Sequence, residues 1–280
     1  MSGLAAGFGD PLGNDLHVLI ASLGLFEVRQ DVRLPGDARV LVNDFVDSPL
    51  APIFVVGGGA NDDLARKDPQ AILLTCRAVA EEVRDQDLLR VAIEIGNELD
   101  ACSIYAKDPD QAGRLWQDAE AAIRTVRGDI MVVTGGVTNL SSTALSWLDR
   151  AMTAAPGLST EAIIGFHSYR ENPNTPKEKF KTRAAEMVEL NRIGRGRDAW
   201  CTEVGYHTAS GRGCFGRKTK GLTDQQVEEF CLSELSWFKQ LGISLVWYQL
   251  NDGPKDMALD RYGIRRTDGT FKPVAGCFAQ

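Results

Sequence analysis

The stretch IEIGNELD, residues 93–100, combines the pattern of a buried strand with three acidic side chains. Ile93 and Ile95 are spaced as on one face of a strand, yet Glu94 lies between them and Asn97-Glu98 ends the apolar run. A buried carboxylate is costly unless it is paired or hydrogen-bonded. The stretch therefore predicts either compensating partners for these acids or a function that requires them.

Short apolar runs alternate with longer amphipathic segments along the chain. The predicted strands cover residues 3–7, 25–32, 52–57, 89–97, 129–135, 162–169, 198–204 and 243–250. The predicted helices cover residues 14–23, 37–45, 69–86, 109–127, 142–154, 176–192 and 223–241. This alternation indicates a parallel α/β protein. We predict one (β/α)8 TIM barrel that forms a single domain over residues 1–280.

A doubly wound sheet is the main alternative, because it alternates in the same way. Such a sheet usually has a glycine-rich phosphate turn after its first strand, and the sequence has neither G-x-G-x-x-G nor a Walker A motif. Gly57-Gly58-Gly59 lacks the spacing of the fingerprint and is interpreted as a tight turn. The pattern therefore favours the barrel.

Composition narrows the classes of partner. The net charge of −7 provides no basic surface for nucleic acid. No apolar run approaches the roughly 20 residues that span a bilayer, and the N-terminal MSGLAAGFGDPLG lacks the basic start of a signal peptide. We expect a soluble protein, cytoplasmic or secreted with its signal removed, that binds neither nucleic acid nor membrane. Its oligomeric state stays open.

The cysteines show no C-x-x-C spacing, so we expect mostly free thiols and no metal site among them. They are Cys76, Cys102, Cys201, Cys214, Cys231 and Cys277.

Polar side chains gather at the C-terminal ends of four predicted strands, which is where the chemistry of a (β/α)8 barrel lies. These residues are Asn97 and Glu98, then His167, Ser168 and Tyr169, then Glu203, Tyr206 and His207, and finally Trp247, Tyr248, Gln249, Asn251 and Asp252. Each one alone is unremarkable at a strand end. The same asymmetry on four strands predicts an active site.

Glu98 and Glu203 are expected to face each other across the mouth of this barrel. Paired carboxylates suit glycosidic cleavage, in which one protonates the leaving oxygen and the other supports the oxocarbenium-like centre. At a separation of about 5 Å the second carboxylate attacks directly and configuration is retained. Asn97 beside the acid is suited to hold a sugar hydroxyl. This chemistry requires no cofactor and no metal.

IEIGNELD and AWCTEVGYHT resemble the strand-four and strand-seven motifs of the retaining (β/α)8 glycoside hydrolases of clan A. This group includes cellulases, mannanases, β-xylosidases and β-glucuronidases. The resemblance implies that Glu98 is the general acid/base, that Glu203 is the nucleophile and that Asn97 binds a carbohydrate substrate. Many members have proline after the Asn-Glu pair, whereas this chain has Leu99.

Weaker similarities extend over most of the chain. LGLFEVRQDV, residues 23–32, resembles the strand-two segment, which implies that Arg29 holds the nucleophile. FHSY resembles the strand-six motif, and VWYQLND with YGIRRTDGTFKP resembles strand eight and its closing turn. Further substrate-binding residues implied or suggested by this comparison are His167, Tyr169, Tyr206, Trp247 and Tyr248. Alternation allows only one of Trp247 and Tyr248 to point inward.

Glu94 lies four residues before Glu98, on the same face of the strand. Our hypothesis is that Glu94 is a structural residue deep in the barrel, paired with Arg29 or a neighbouring donor. The basic segment 211–221 contains Arg212, Arg217, Lys218 and Lys220. It is interpreted as a solvated loop, with recognition of an acidic sugar as the alternative.

Other functions remain to be weighed. A catalytically silent carbohydrate-binding barrel and a transglycosidase both fit the same motifs. A Schiff-base aldolase would need a lysine at a strand end, and none of the predicted strands ends in one. A metal-dependent hydrolase would need clustered histidines, and His17 falls in a predicted helix. The sugar and linkage stay open, with short loops slightly favouring endo action.

Overall fold

The computed structural model of the chain describes residues 2–5, 13–57, 68–101, 104–169, 183–209, 221–252 and 262–278. Its strands are β1 Ser2–Ala5, β2 Glu27–Val32, β3 Ala51–Val56, β4 Ala92–Asn97, β5 Met131–Gly136, β6 Ile164–His167, β7 Ala199–Val204 and β8 Ser244–Tyr248. The α-helices within these ranges are α1 Asn14–Ser22, α2 Ala38–Asn43, α3 Pro69–Asp85, α4 Pro109–Val126, α5 Ser142–Thr153, α6 Arg183–Gly194 and α7 Asp224–Gln240.

The strands form one parallel sheet in the order β5-β4-β3-β2-β1-β8-β7-β6. Its two end strands also meet, because parallel bridges join Val133 to Ile163 and Val137 to Phe166. The amide of Thr134 donates to the carbonyl of Ile163 at 2.9 Å at this junction. The predicted (β/α)8 architecture is thus confirmed.

Several helices begin at a residue whose side chain caps the first turn. Asp68 accepts a hydrogen bond from the amide of Gln70 at 2.9 Å, and Pro69 occupies the first turn of α3. At α7, Thr223 accepts from the amide of Gln226 at 3.2 Å while its own amide donates to the Gln226 side chain at 2.9 Å. This reciprocal pair satisfies two of the amide donors that a helix start leaves open.

Apolar packing forms two layers. The larger cluster lies between the barrel and its helices and includes the outward-facing residues of the strands. A smaller cluster lies inside the barrel and consists of Ile53, Ala92, Val133, Ile163 and Val246. Ala92 is two residues before Glu94 and therefore shares its inward face. The apolar residues form a floor, and polar side chains lie above it toward the C-terminal ends of the strands.

Two tryptophans, Trp116 and Trp147, connect the helices to the barrel. The Trp116 indole donates to the carbonyl of Ile95 on β4 at 3.0 Å, and the Trp147 indole donates to the carbonyl of Tyr105 at 3.0 Å. The two rings meet edge to face at 5.9 Å. The outer face of β4 is therefore held by helix α4.

The predicted start of strand β4 needs correction. Leu89 is 68% exposed, because β4 begins only at Ala92 after a turn in which Arg90 has a φ of 58°.

Four cysteines are buried free thiols: Cys76, Cys201, Cys231 and Cys277. Residues outside the described ranges include Cys102, Cys214, Arg212, Arg217, Lys218, Lys220 and segments 6–7 and 176–182 of predicted elements. Within the described ranges, no helix has the length and apolarity needed to cross a membrane.

Candidate active site

The polar residues predicted at strand ends meet at the C-terminal end of the barrel. Asn97, His167 and Tyr248 are the last residues of β4, β6 and β8. Glu203 is the next-to-last residue of β7, and Glu98 directly follows β4. This is the end at which barrel enzymes carry their chemistry.

The backbone of β4 departs from regular alternation just before Glu98. Gly96 has a φ of 87° and Glu98 a φ of 49°, in the left-handed region that glycine adopts readily. The amide of Glu98 still donates to the carbonyl of Gly136 at 2.8 Å. Because of this distortion, both Asn97 and Glu98 turn their side chains toward the site.

Strand β7 contains a register shift between Cys201 and Val204. Those two residues belong to the outer apolar cluster. The residues between them, Thr202 and Glu203, both face the interior, where the Thr202 hydroxyl donates to Glu94 at 3.0 Å. An extra inward residue of this kind is the result expected of a β-bulge.

Arg29 on β2 connects three acceptors. Its Nε donates to Glu94 Oε2 at 2.7 Å, its Nη2 donates to Asn97 Oδ1 at 2.8 Å, and its Nη1 donates to Glu203 Oε1. Burial lowers the pKa of Arg29, but the charges of Glu94 and Glu203 outweigh burial and raise that pKa above its ordinary value. Arg29 is therefore a permanent cation beneath the site, and the expected pairing of Glu94 with Arg29 is confirmed.

Glu94 is fully buried, and both of its carboxylate oxygens have donors. Oε1 accepts from the amide of Gly136 at 3.1 Å and from the Thr202 hydroxyl at 3.0 Å. Oε2 accepts from Arg29. These bonds, together with the adjacent guanidinium charge, compensate for desolvation of the carboxylate inside the apolar strand.

Glu203 is held by two donors from different strands. Arg29 contacts Oε1, and the Tyr169 hydroxyl donates to Oε2 at 2.7 Å. Burial, the charge of Glu203 and two neighbouring tyrosines raise the pKa of Tyr169 well above its ordinary value. The Tyr169 hydroxyl therefore stays protonated and continues to donate to the carboxylate.

His167 lies between the two glutamates of the site. Its Nδ1 is 3.1 Å from Glu98 Oε1 and 3.7 Å from Glu203 Oε2. Burial lowers the pKa of His167, but Glu203 and Glu98 raise it by more, so the net shift is upward. A Cβ on Gly136 would come within 2.5 Å of Nε2, so glycine at that position leaves room for the imidazole.

The segment after Glu98 is tied to the neighbouring strand end. Asp100 accepts hydrogen bonds from the amide and the hydroxyl of Thr138, each at 2.9 Å. Burial raises the pKa of Asp100 in spite of these two bonds. The tether restricts the chain two residues beyond Glu98 and so limits where its carboxylate can lie.

Glu98, His167 and Glu203 each offer a ligand atom, and these three atoms lie within 4.8 Å of one another. Such a set is able to coordinate a metal ion. Arg29, however, directly contacts Glu203, and a fixed positive charge there opposes a divalent cation. The arrangement therefore fits the chemistry of a carboxylate pair better than the chemistry of a metal.

Three tyrosines form an aromatic wall beside Glu203. Tyr169, Tyr248 and Tyr262 meet edge to face, with ring centroids 5.6–6.2 Å apart. The ring of His207 lies 5.4 Å from Tyr262. Tyr262 was not predicted as a site residue, because it follows the barrel strands and no local periodicity places it near them.

Trp247 and Tyr206 do not reach the site, which corrects their expected role as substrate-binding residues. Trp247 is fully buried and packs against Phe278 at 5.9 Å and Tyr206 at 6.2 Å. The Tyr206 hydroxyl donates to Glu234 on α7 at 2.8 Å. Strand alternation gives the inward position to Tyr248, so both residues contribute to packing between barrel and helices.

Asp31 is a further acidic residue that the sequence reasoning missed. It lies on β2 two residues after Arg29, on the same inward face, and it is partly exposed. Desolvation by the surrounding protein raises its pKa to about 6; Arg29 acts against this shift, and Glu203 adds to it. Its position two residues after Arg29, on the same face of the strand, is the feature of the sequence that could have identified it as a site residue.

Solved structures of glycoside hydrolases match the chain over nearly its whole length. An endoglucanase is 12% identical, with a TM-score of 0.70 and coverage of 99% of this chain and 96% of that chain. The catalytic domain of a mannanase from Streptomyces sp. SirexAA-E is 15% identical, with a TM-score of 0.65 and coverage of 100% and 86%. A family 17 β-1,3-glucanosyltransferase from Rhizomucor miehei is 14% identical, with a TM-score of 0.65 and coverage of 97% and 95%.

Sequence comparisons add no closer relative. No model of a known protein family matches the chain, and no curated protein matches it. At identities of 12–15% the likeness to the three solved structures establishes the fold alone. The chain therefore has the (β/α)8 fold of these glycoside hydrolases, as its resemblance to clan A implied.

Proposed function

We propose that the protein is a retaining glycoside hydrolase that cleaves β-glycosidic bonds of an oligo- or polysaccharide, with Glu203 as nucleophile and Glu98 as general acid/base. One observation carries this proposal. Oxygens of the two carboxylates lie within 4.8 Å of each other at the C-terminal end of the barrel. Retaining enzymes place their carboxyl groups about 5–5.5 Å apart, whereas inverting enzymes need about 6.5–9.5 Å to admit a water.

Glu203 is suited to attack the anomeric carbon. Donation from Arg29 and Tyr169 fixes the orientation of its carboxylate, which places the nucleophile before the substrate arrives. Its side chain is 8% exposed, so competing water has little access to it.

Glu98 is suited to exchange protons with the leaving group and then with water. Its side chain is 27% exposed, several times more than that of Glu203. Glu98 first gives its proton to the glycosidic oxygen as that bond breaks and the bond from Glu203 to the sugar forms. It then removes a proton from the water that displaces Glu203, which restores both side chains.

Neighbouring residues would bind the sugar. Arg29 donates to the side-chain oxygen of Asn97. The side-chain amide nitrogen of Asn97 is the donor that we expect to bind a sugar hydroxyl. Tyr248, at the end of β8, offers an aromatic face or edge to the apolar side of a pyranose ring. The endoglucanase and the mannanase of the same fold act on carbohydrates by their names, which supports this substrate class.

Transglycosylation is the second candidate, because one protein of the same fold is named a glucanosyltransferase. Both reactions pass through the same covalent glycosyl-enzyme and differ in whether water or a sugar hydroxyl displaces Glu203. Analysis of products at increasing acceptor-sugar concentration distinguishes them, since a transglycosidase forms longer oligosaccharides at the expense of hydrolysis. A catalytically silent binding barrel would give neither product.

The test uses wild type and Glu203→Ala with aryl β-glucoside, β-xyloside, β-mannoside, β-galactoside and β-glucuronide, with and without azide. We expect wild-type turnover on at least one glycoside and a loss of more than about 1,000-fold in the variant. Azide should partly restore the variant and give an α-glycosyl azide. Glu81→Ala, on the exposed face of α3, is the control and should keep wild-type turnover. Turnover that survives Glu203→Ala would refute the assignment of the nucleophile.

A further inference from the structure

We propose that Asp31 determines substrate specificity at this site by binding a hydroxyl of an uncharged sugar next to the cleaved bond and by excluding uronic acids. This inference rests on the proposed glycosidase function. It assigns a substrate class that neither the two motifs nor the fold specifies.

The register of three neighbouring strands places Asp31 at the mouth of the barrel. Arg29 on β2 is paired with Ala5 on β1, and Ala5 is paired with Tyr248 on β8, so these residues lie at one level. Asp31 lies two residues beyond Arg29 on the same face, about 6.5 Å closer to the opening. Its carboxylate therefore lies above the cation that holds Glu203 and next to the aromatic ring of Tyr248.

Within the described residues, the carboxylate of Asp31 has the acceptor capacity to bind a ligand. Across the described parts of the chain, no side chain or backbone group donates a hydrogen bond to it. Asp31 is also partly exposed, so solvent reaches it. A carboxylate accepts from two sugar hydroxyls as readily as from two waters, and an ordered acceptor at the mouth favours a sugar that presents hydroxyls there.

The charges around Asp31 disfavour an acidic sugar. Among the described residues, Arg29 is already paired with Glu94, Asn97 and Glu203, and Arg33, the other cation that acts on Asp31, is exposed. The carboxylate of a uronic acid bound beside Asp31 would therefore face a fixed like charge. Like charges in a partly desolvated site repel strongly. The basic segment 211–221, outside the described residues except at its end, is interpreted as a solvated loop; the alternative, recognition of an acidic sugar, would give the opposite preference.

The pH dependence of sugar binding distinguishes a binding role of Asp31 from a purely structural role. Desolvation raises its pKa to about 6. Among the described residues, the charged and titratable groups that face it are Arg29, Glu203, Glu94, Arg33 and Tyr248. If the ionised carboxylate binds the sugar, binding is complete above this pKa and is lost as pH falls through about 6.

The experiment compares wild type, Asp31→Ala and Asp31→Asn on 4-nitrophenyl β-glucoside, β-mannoside and β-glucuronide. Asp31→Ala should lower kcat/KM on the uncharged glycosides about 10- to 100-fold, mainly through KM. Asp31→Asn should raise kcat/KM on the glucuronide relative to the uncharged glycosides by about tenfold, because it removes the like charge. Asp31→Asn should also remove the loss of affinity that we expect wild type to show as pH falls through about 6. Asp118→Asn, exposed on α4, should resemble wild type in every respect.

The outcomes separate the inference from the proposed function. Wild-type activity that Asp31→Ala leaves unchanged, or a wild-type preference for the glucuronide, overturns the role of Asp31 while the glycosidase assignment stands. If wild type cleaves no aryl glycoside, binding of cellotriose and mannotriose is measured by calorimetry, and weaker binding by Asp31→Ala supports the inference. Absence of binding to both trisaccharides by wild type overturns the inference, because Asp31 then binds neither of these uncharged sugars.

Discussion

The buried ion pair between Glu94 and Arg29 is directly testable with Glu94→Gln. The substitution preserves the shape of the side chain and removes its charge. Glutamine has one acceptor oxygen where Glu94 uses two, with Gly136 and Thr202 on one side and Arg29 on the other. If its oxygen keeps the first two donors, its amide nitrogen faces the Arg29 Nε, and two donors then oppose each other.

The expected cost follows from burial. Glu94 is fully buried and Arg29 nearly so. Breaking a buried pair by neutralising one partner costs about 3–5 kcal/mol. Since each kcal/mol lowers the melting temperature of a chain of this size by about 2–4 °C, Glu94→Gln should lower Tm by about 6–20 °C. Arg29 also positions Glu203, so kcat should fall by about tenfold or more.

Urea unfolding and thermal melting measure the loss of stability. Turnover of an aryl β-glycoside measures the loss of kcat that follows when Arg29 no longer positions Glu203. Glu81→Gln is a suitable control, because Glu81 pairs with Arg77 at 2.9 Å on the exposed face of a helix. Such a pair should contribute less than about 0.5 kcal/mol. If Glu94→Gln changed stability no more than this control and kept full turnover, the pairing would have no energetic role and our reasoning would be wrong.

Four further predictions concern the candidate site and the helices around the barrel. Glu98→Gln should lower the pKa of His167, because burial lowers this pKa and the carboxylates raise it; NMR titration of the imidazole measures the shift. In wild type, the raised pKa of His167 adds to the free energy of unfolding. This contribution is complete below the ordinary pKa of 6.5 and is lost as pH rises through the pKa of the folded state. Unfolding measured at several pH values should show this loss. Gly113→Ala should destabilise the protein by about 1–3 kcal/mol in urea, because a Cβ there would clash with the Ala151 carbonyl and force α4 and α5 apart. Thr223→Ala should cost about 1 kcal/mol in the same assay by removing the cap of α7.

The fold was predictable because its determinants are local. Alternating strand and helix periods, together with capping residues such as Asp68 and Thr223, give most element bounds to within a few residues. The start of β4 was placed too early, because Leu89 fits the apolar pattern although the turn at Arg90 leaves it exposed. Periodicity alone does not detect a backbone turn inside an apolar run.

The candidate site residues were predictable where a strand end contributes one inward side chain. They were less predictable where a backbone distortion turns two consecutive side chains inward. The distortion at Gly96 and the bulge before Glu203 each bring two consecutive residues inward, which strict alternation does not predict. Tyr206 and Trp247 were expected near the substrate from their position in the chain, but both face the helices. Tyr262 reaches the site only through the tertiary fold of the segment that follows β8.

The proposed mechanism also explains why an apolar strand retains the carboxylate of Glu94. When the glycosyl-enzyme forms, Glu203 becomes a neutral ester, and Arg29 would be left as a buried cation without a counter-charge if Glu203 were its only partner. Glu94 keeps Arg29 paired through both halves of the cycle. Glu98 becomes charged as Glu203 is neutralised, and His167 lies 3.1 Å from one and 3.7 Å from the other. The negative charge therefore moves within reach of the same imidazole, and each half-reaction relocates a buried charge without creating an unpaired one.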